Sequence, residues 1–190
     1  YQQHPTPGDG GTFKREWWQF YRTLPDGLYD YIQSWDCTFK DAQSSDYVVG
    51  QVWARKGSSR YLLDQVRGRM SFTETIRAVR SLSAKWPQAV RKLIEDKANG
   101  TAVIDVLRRE LPGLIPVEPE GGKIVRANAV TAVAEAGNVF LPDPSIAPWV
   151  HDFVEEHAMF PNGANDDQVD AQSQANTYYN SSSFSLEGLL

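Results

Sequence analysis

Three extended runs follow one another with only short links between them, and that order limits the possible folds more than any other feature of the chain. Tyr29 to Phe39 (YDYIQSWDCTF), Tyr47 to Arg55 (YVVGQVWAR) and Arg60 to Met70 (RYLLDQVRGRM) are rich in Tyr, Val, Trp and Leu, and a Gly-Ser turn joins the last two. Strands so closely spaced pair as an antiparallel meander, because a parallel pairing needs a long crossover. From Ser71 the period changes. Phe72, Ile76, Val79 and Leu82 recur near 3.6 residues, Ser71 and Glu74 have capping-box spacing, and Pro87 closes the segment, which predicts a helix over Ser71 to Trp86.

Strand and helix signals then alternate. Ala89 to Asp96 reads as a strand, Gly100 to Leu111 as a helix, Leu114 to Val117 as a short strand and Lys123 to Gly137 as a helix ending on Gly-Asn. Val139 to Leu141 is a brief extended run and Pro148 to Phe160 an amphipathic helix. A last helix starts at Asp166 or Asp167, with Asn165 as its N-cap, and runs to about Tyr179. The order predicts an α/β domain: a mixed sheet of about five main strands, three antiparallel and then parallel, flanked by helices. Its expected extent is residues 28–180. Residues 1–27 read as a linker and leading segment, whose aromatic run EWWQFY staples onto the domain's own core, and residues 181–190 as a flexible Ser-rich tail.

Several chemistries are excluded by the letters. Gly122-Lys123 is followed by Ile124, so there is no phosphate-loop lysine motif, and no G-x-G-x-x-G follows a strand. His151 and His157 are six residues apart and do not share a helix face as a zinc pair would, and His4 lies in the linker. The single cysteine, Cys37, reads as a buried structural thiol in a reducing compartment. No apolar run reaches the ~20 residues of a membrane span.

Charge is more informative by segment than in total. The net of −5 combines a stretch from Arg55 to Arg109, with thirteen Lys/Arg against five Asp/Glu, and a stretch from Ala127 to Leu190 with nine acids and no Lys or Arg. Solvated helix faces of opposite sign would produce such poles; so would a carboxylate site beside a basic surface.

Three groups of acids bear on that choice. Asp36 sits inside an aromatic and apolar strand, where a buried charge costs several kcal/mol, by order of magnitude, unless a cation compensates it. Glu95-Asp96 ends a strand, and open α/β sheets hold ligands at the carboxyl ends of strands. Asp166, Asp167 and Asp170 open a helix with i, i+3 and i, i+4 spacing, which favourable interaction with the helix dipole also explains. Together, acids from three separated segments suit Mg²⁺ or Mn²⁺, and a pair of such ions ~3.5–4 Å apart activates water for phosphodiester hydrolysis. Nearby Lys and Arg would follow the phosphate backbone.

Ordered motifs extend this reading. They are Gly10-Gly11-Thr12-Phe13-Lys14-Arg15-Glu16-Trp17-Trp18, Ser34-Trp35-Asp36-Cys37-Thr38 with Ser45-Asp46-Tyr47, and Ile94-Glu95-Asp96-Lys97-Ala98-Asn99-Gly100. Lys123-Ile124-Val125-Arg126-Ala127, Gly137-Asn138-Val139-Phe140-Leu141-Pro142, Phe160-Pro161-Asn162-Gly163 and Asp166-Asp167-Gln168-Val169-Asp170-Ala171 complete the set. In these the chain resembles the C-terminal nuclease domain of the large terminase subunit of tailed bacteriophages. The resemblance implies an RNase H-like fold and a two-metal, Mg²⁺- or Mn²⁺-dependent endonuclease that cuts concatemeric double-stranded DNA when packaging starts and ends. It implies a catalytic set of Asp36, Glu95 and Asp167, with Asp166 and Asp170 as further metal ligands, and phosphate contacts by Lys97, Lys123, Arg67 and Arg69. Asn165 stands where many relatives have His. The implied partners are an ATPase domain preceding Tyr1, the small terminase subunit and the portal, with the isolated domain a monomer acting in the host cytoplasm and transiently at the procapsid portal. Two other readings are a junction resolvase or integrase-like nuclease of the same fold, and a non-catalytic DNA-gripping or portal-docking module.

Overall fold

The central strands are buried at nearly every position, because successive side chains point to opposite faces of one sheet and both faces are covered. The computed structural model describes residues 11–37, 46–97 and 99–187, with side chains as far as 182. Expected features at residues 1–10, including His4 and Gly10, at Thr38, Phe39, Ser45 and Ala98, and at residues 188–190 lie outside the described residues. The strands are β1 (Gln19–Tyr21), β2 (Tyr29–Asp36), β3 (Val48–Lys56), β4 (Ser59–Gly68), β5 (Arg91–Glu95), β6 (Leu114–Val117) and β7 (Val139–Pro142). The helices are α1 (Phe72–Lys85), α2 (Asn99–Leu107), α3 (Lys123–Glu135), α4 (Val150–Met159) and α5 (Asp167–Glu187).

The sheet order is β1-β7-β4-β3-β2-β5-β6. The meander β2-β3-β4 pairs antiparallel as the short links require. It lies in the middle of the sheet rather than at one side: β5 and β6 extend it in parallel beyond β2, and β7 and β1 in parallel beyond β4. Seven strands therefore replace the expected five or so. The added edge strand β1 comes from the leading segment, whose Phe13 and Trp18 are buried with Phe153 of α4. Residues 11–21 thus share the sheet and core of the rest, as the stapling of the aromatic run requires. α1 begins on the capping box, Ser71 Oγ accepting from the Glu74 N–H while Glu74 accepts from the Ser71 N–H.

Two apolar layers sandwich the sheet. Trp35, Val48, Val52 and Ile94 pack against Ile76, Val79 and Leu82 of α1 and Val103, Ile104 and Leu107 of α2. On the opposite face Ile32, Trp53, Leu62 and Leu93 meet α3, α4 and α5. Ile32 and Ser34 face α5, so the period of two brings Asp36 to that same side, and Leu93 does likewise for Glu95. α5 continues as a helix to Glu187, past the expected end near Tyr179. Among the described residues no helix is long and apolar enough to cross a membrane.

His157 sits at the seam between α4 and the leading segment. It is fully buried among the rings of Phe13, Trp18 and Phe153, with Nδ1 2.8 Å from the Phe153 carbonyl. Burial lowers its pKa to about 4, so the ring is neutral near pH 7. The unfolded chain binds this proton more readily, and the associated stability is present above pH ~6.5 and lost as pH falls toward 4. His157→Leu should flatten that loss, by roughly 3 kcal/mol at most. Urea unfolding from pH 4 to 8, followed by Trp fluorescence, measures the difference.

Candidate active site

β2 and β5 are adjacent and parallel, and their register pairs Trp35 with Ile94. The next residues on each strand, Asp36 and Glu95, therefore leave the sheet side by side at its carboxyl end. Both line a cleft of about 560 Å³ together with Asp170, Gln174 and Arg126, closed on one side by Ile115, Val117 and Val125. Asp36 is 3% exposed and Asp170 8%. Cys37 is buried behind them; burial first, and then the charges of Asp36 and Glu95, push its thiol well above the ordinary range, which suits a structural thiol.

The backbone around Glu95 is closely seated. A Cβ on Gly100, at the start of α2, would lie 1.9 Å from the Glu95 carbonyl oxygen, so only glycine lets α2 begin there. Asp96 does not share the role of Glu95, because it accepts a 2.7 Å hydrogen bond from Thr101 Oγ1 in the first turn of α2.

The acids of the α5 start take different positions. Lys123, at the start of α3, donates to Asp166 Oδ1 and lies against Asp170 Oδ2, both at 2.7 Å, and Arg126 approaches Asp170 at 3.5 Å. Burial opposes the Lys123 charge, but the two carboxylates outweigh it and raise the lysine's pKa. Asp170 is itself raised, by burial, with Lys123 acting the other way. Asp167 does not line the cleft. It is 4% exposed, takes a hydrogen bond from the Tyr47 backbone and lies near Glu156. Burial, reinforced by the Glu156 charge, raises its pKa to about 7. Among the described residues, no three His, Cys, Asp or Glu side chains converge closely enough to hold a metal ion in this conformation.

Of the expected phosphate contacts, Lys97 and Arg69 are exposed and Lys123 is committed to Asp166 and Asp170. Arg67 is turned inward, its guanidinium 3.8 Å from the Tyr47 ring centre and 3.5 Å from Glu156. Other members of the basic segment also serve the interior. Arg55 pairs with Asp30 at 2.9 Å, Arg60 binds Asn176, and Lys92 donates to the carbonyls of Val90 and Pro112. Much of the local positive surplus is therefore structural. Sequence reasoning also passed over Arg126, Gln174 and Glu156. Gln174 was accessible in principle, since it follows Asp170 by one helical turn.

Acids at the ends of two adjacent parallel strands, facing a helix that crosses a mixed sheet, place the domain in the RNase H-like class. The family model for the terminase RNaseH-like domain matches residues 33–178, and the chain belongs to that family. Its fold is similar to the large terminase nuclease of thermophilic phage G20c, with TM-score 0.63, 15% identity, and 88% of this chain and 97% of that one covered. The magnesium-bound form of that nuclease gives 0.64 and 15%, covering 91% and 98%, and forms with bound cobalt and zinc match as well. The large terminase of a second thermophilic bacteriophage gives 0.64 and 12%, covering 87% of this chain. The chain spans 44% of that protein's length. No curated protein sequence matches significantly.

The raised Asp167 supplies a test of the site's electrostatics. The folded chain holds this proton better than the unfolded chain, so the linked stability is present at pH 4 and lost as pH rises through 7. Asp167→Asn keeps an acceptor for Tyr47 and removes the loss. In EDTA the variant should match the parent at pH 4 and exceed it at pH 8 by up to roughly 4 kcal/mol, measured by urea unfolding.

Proposed function

We propose that this chain is the nuclease part of a viral DNA-packaging motor, an endodeoxyribonuclease that depends on divalent metal. It would cut concatemeric double-stranded DNA at the start and end of packaging. The observation that carries the reading is the cleft at the carboxyl ends of β2 and β5, where Asp36 and Glu95 face Asp170 of α5.

The donor set fits hard cations. Its side-chain donors are carboxylates, which suit Mg²⁺ or Mn²⁺, whereas His151 is exposed and His157 is enclosed by aromatic rings. Asp36 and Glu95 would hold the metal from the sheet. Asp170 would do so from the cleft wall with Asp166 beside it, and Asp167, which is held toward Tyr47 and Glu156 in this conformation, would join the set by turning its side chain into the cleft. Two bound ions would supply activated water and stabilisation of the leaving oxygen. Lys123 compensates the charge of Asp166 and Asp170 and keeps them together. Lys97 and Arg69 stand exposed for backbone phosphates, and the buried position of Asp36 limits competition by bulk water. In the motor the partners would be double-stranded DNA, an ATPase domain of the same polypeptide, the small terminase subunit and the portal. The domain would act as a monomeric unit in the host cytoplasm and at the procapsid portal.

Plasmid cleavage in Mn²⁺ is the direct measurement. The parent chain should nick and linearise the plasmid, and Asp36→Asn or Glu95→Gln should reduce the rate by at least ~100-fold. Arg80→Ala, on the far face, should leave it unchanged. Cleavage that survives Asp36→Asn overturns the site. Calorimetry showing no carboxylate-dependent Mn²⁺ heat would identify a DNA-gripping module instead. A strong preference for four-way junctions over linear duplex would identify a resolvase.

A further inference from the structure

The acids of α5 are aimed by the first turn of the helix, and that turn is held by a residue of another helix. The free N–H groups at a helix start need acceptors. Here Glu156 of α4 provides them: its Oε1 accepts from the Gln168 N–H at 2.6 Å and the Val169 N–H at 3.3 Å, and its Oε2 accepts from Gln168 Nε2 at 2.6 Å. Glu156 is 9% exposed, and a carboxylate so placed also meets the positive end of the helix dipole.

The charge has its own support. Arg67 of β4 lies 3.5 Å from Glu156 Oε2, and its guanidinium packs 3.8 Å from the ring centre of Tyr47. The Tyr47 backbone in turn bonds Asp167. A closed circuit thus joins the start of β3, the end of β4, α4 and the first turn of α5. A mid-helix glutamate buried in this way has no apolar packing role, and a buried unpaired carboxylate would be costly, so both its oxygens and its charge are committed.

We infer that Glu156 is a positioning residue that caps α5 from α4 and thereby sets where Asp167 and Asp170 stand relative to Asp36 and Glu95, with Arg67 serving Glu156 rather than DNA phosphate. The inference rests on the nuclease reading above, and a readout independent of metal and DNA separates the two.

The test uses Glu156→Ala, which removes the acceptors, Glu156→Asp, which keeps charge but is too short, and Glu156→Gln, which keeps one oxygen to accept from the Gln168 and Val169 N–H groups. In EDTA, amide exchange at Gln168 and Val169 should accelerate at least tenfold in Glu156→Ala and Glu156→Asp, and much less in Glu156→Gln. In Mn²⁺, the first two should bind the ion at least tenfold more weakly by calorimetry and lose at least tenfold in kcat, with KM for duplex DNA within about twofold; Glu156→Gln should recover most of both. Should Glu156→Ala fail to fold, Glu156→Asp carries the comparison. For Arg67→Met the dependence of DNA binding on salt should keep the parent's slope, whereas Arg69→Ala should lower it by about 0.9, the share of one phosphate contact. Unchanged exchange in a folded variant overturns the cap. Faster exchange with unchanged Mn²⁺ affinity and kcat overturns the positioning role. A lowered slope for Arg67→Met overturns its assignment to Glu156. A parent chain that neither binds Mn²⁺ nor cuts DNA overturns the nuclease reading, while exchange still decides the cap.

Discussion

The burial of a polar helix across the sheet is the constraint on which the rest of this structure depends. α5 has no continuous apolar stripe, yet Gln168, Gln172, Ser173 and Asn176 are buried as completely as Val169 and Ala175. The sheet supplies partners to two of these side chains, Arg60 donating to Asn176 Oδ1 and Gln65 Nε2 to Gln168 Oε1, and further bonds tie the helix backbone and Gln174 to the strands. Ser34 Oγ donates to the Ala171 carbonyl at 2.7 Å, Gln174 Nε2 donates to Ser34 Oγ and the Leu93 carbonyl, and Gln51 Nε2 donates to the Gln168 carbonyl. Apolar packing alone would let a helix slide or roll with little loss, whereas hydrogen bonds are directional and tie α5 to one rotation. Ser34 and Leu93 lie two residues before Asp36 and Glu95, so the bonds that dock the helix are made on the strands that carry the acids.

Charge is managed by the same principle of local pairing. The basic middle segment and the acidic C-terminal third meet inside the fold through Arg67 with Glu156, while Arg60 is held by the neutral Asn176. Lys123, just before the acidic third, holds Asp166 and Asp170. A count along the chain records opposed poles; in the structure the buried members of the basic segment are matched one by one, Arg55 by Asp30 and Arg67 by Glu156. Exposed members such as Arg69 and Lys97 remain on the side toward which the cleft acids face.

Much of the fold was legible because its signals are local. The capping box of Ser71 and Glu74, the strand Leu114–Val117 and the start of α3 at Lys123 each depend on residues within a few positions of one another. Elements whose identity depends on distant partners were harder to read. β1 is three residues long and exists as a strand because Gln19, Phe20 and Tyr21 pair with Phe140, Leu141 and Pro142. The end of α5 looked like a Ser-rich tail because serine and asparagine have low helix propensity. Asp36 and Glu95 stood out as acids among apolar neighbours; Glu156 did not, since a glutamate on an amphipathic helix ordinarily faces water.

Sequence alone determined most of the strands and helices, β1 and the last turns of α5 excepted, the antiparallel pairing of the first long three, and which acids sit at strand ends and at a helix start, because periodicity, capping and link length act over short spans of chain. Tertiary structure alone decided that the meander lies between two parallel wings, that Asp170 rather than Asp167 lines the cleft with Asp36 and Glu95, and that Arg67 turns inward to Glu156. Those outcomes depend on which groups meet across more than fifty residues of chain, and the meeting is settled by packing and by the cost of leaving a buried charge without a partner.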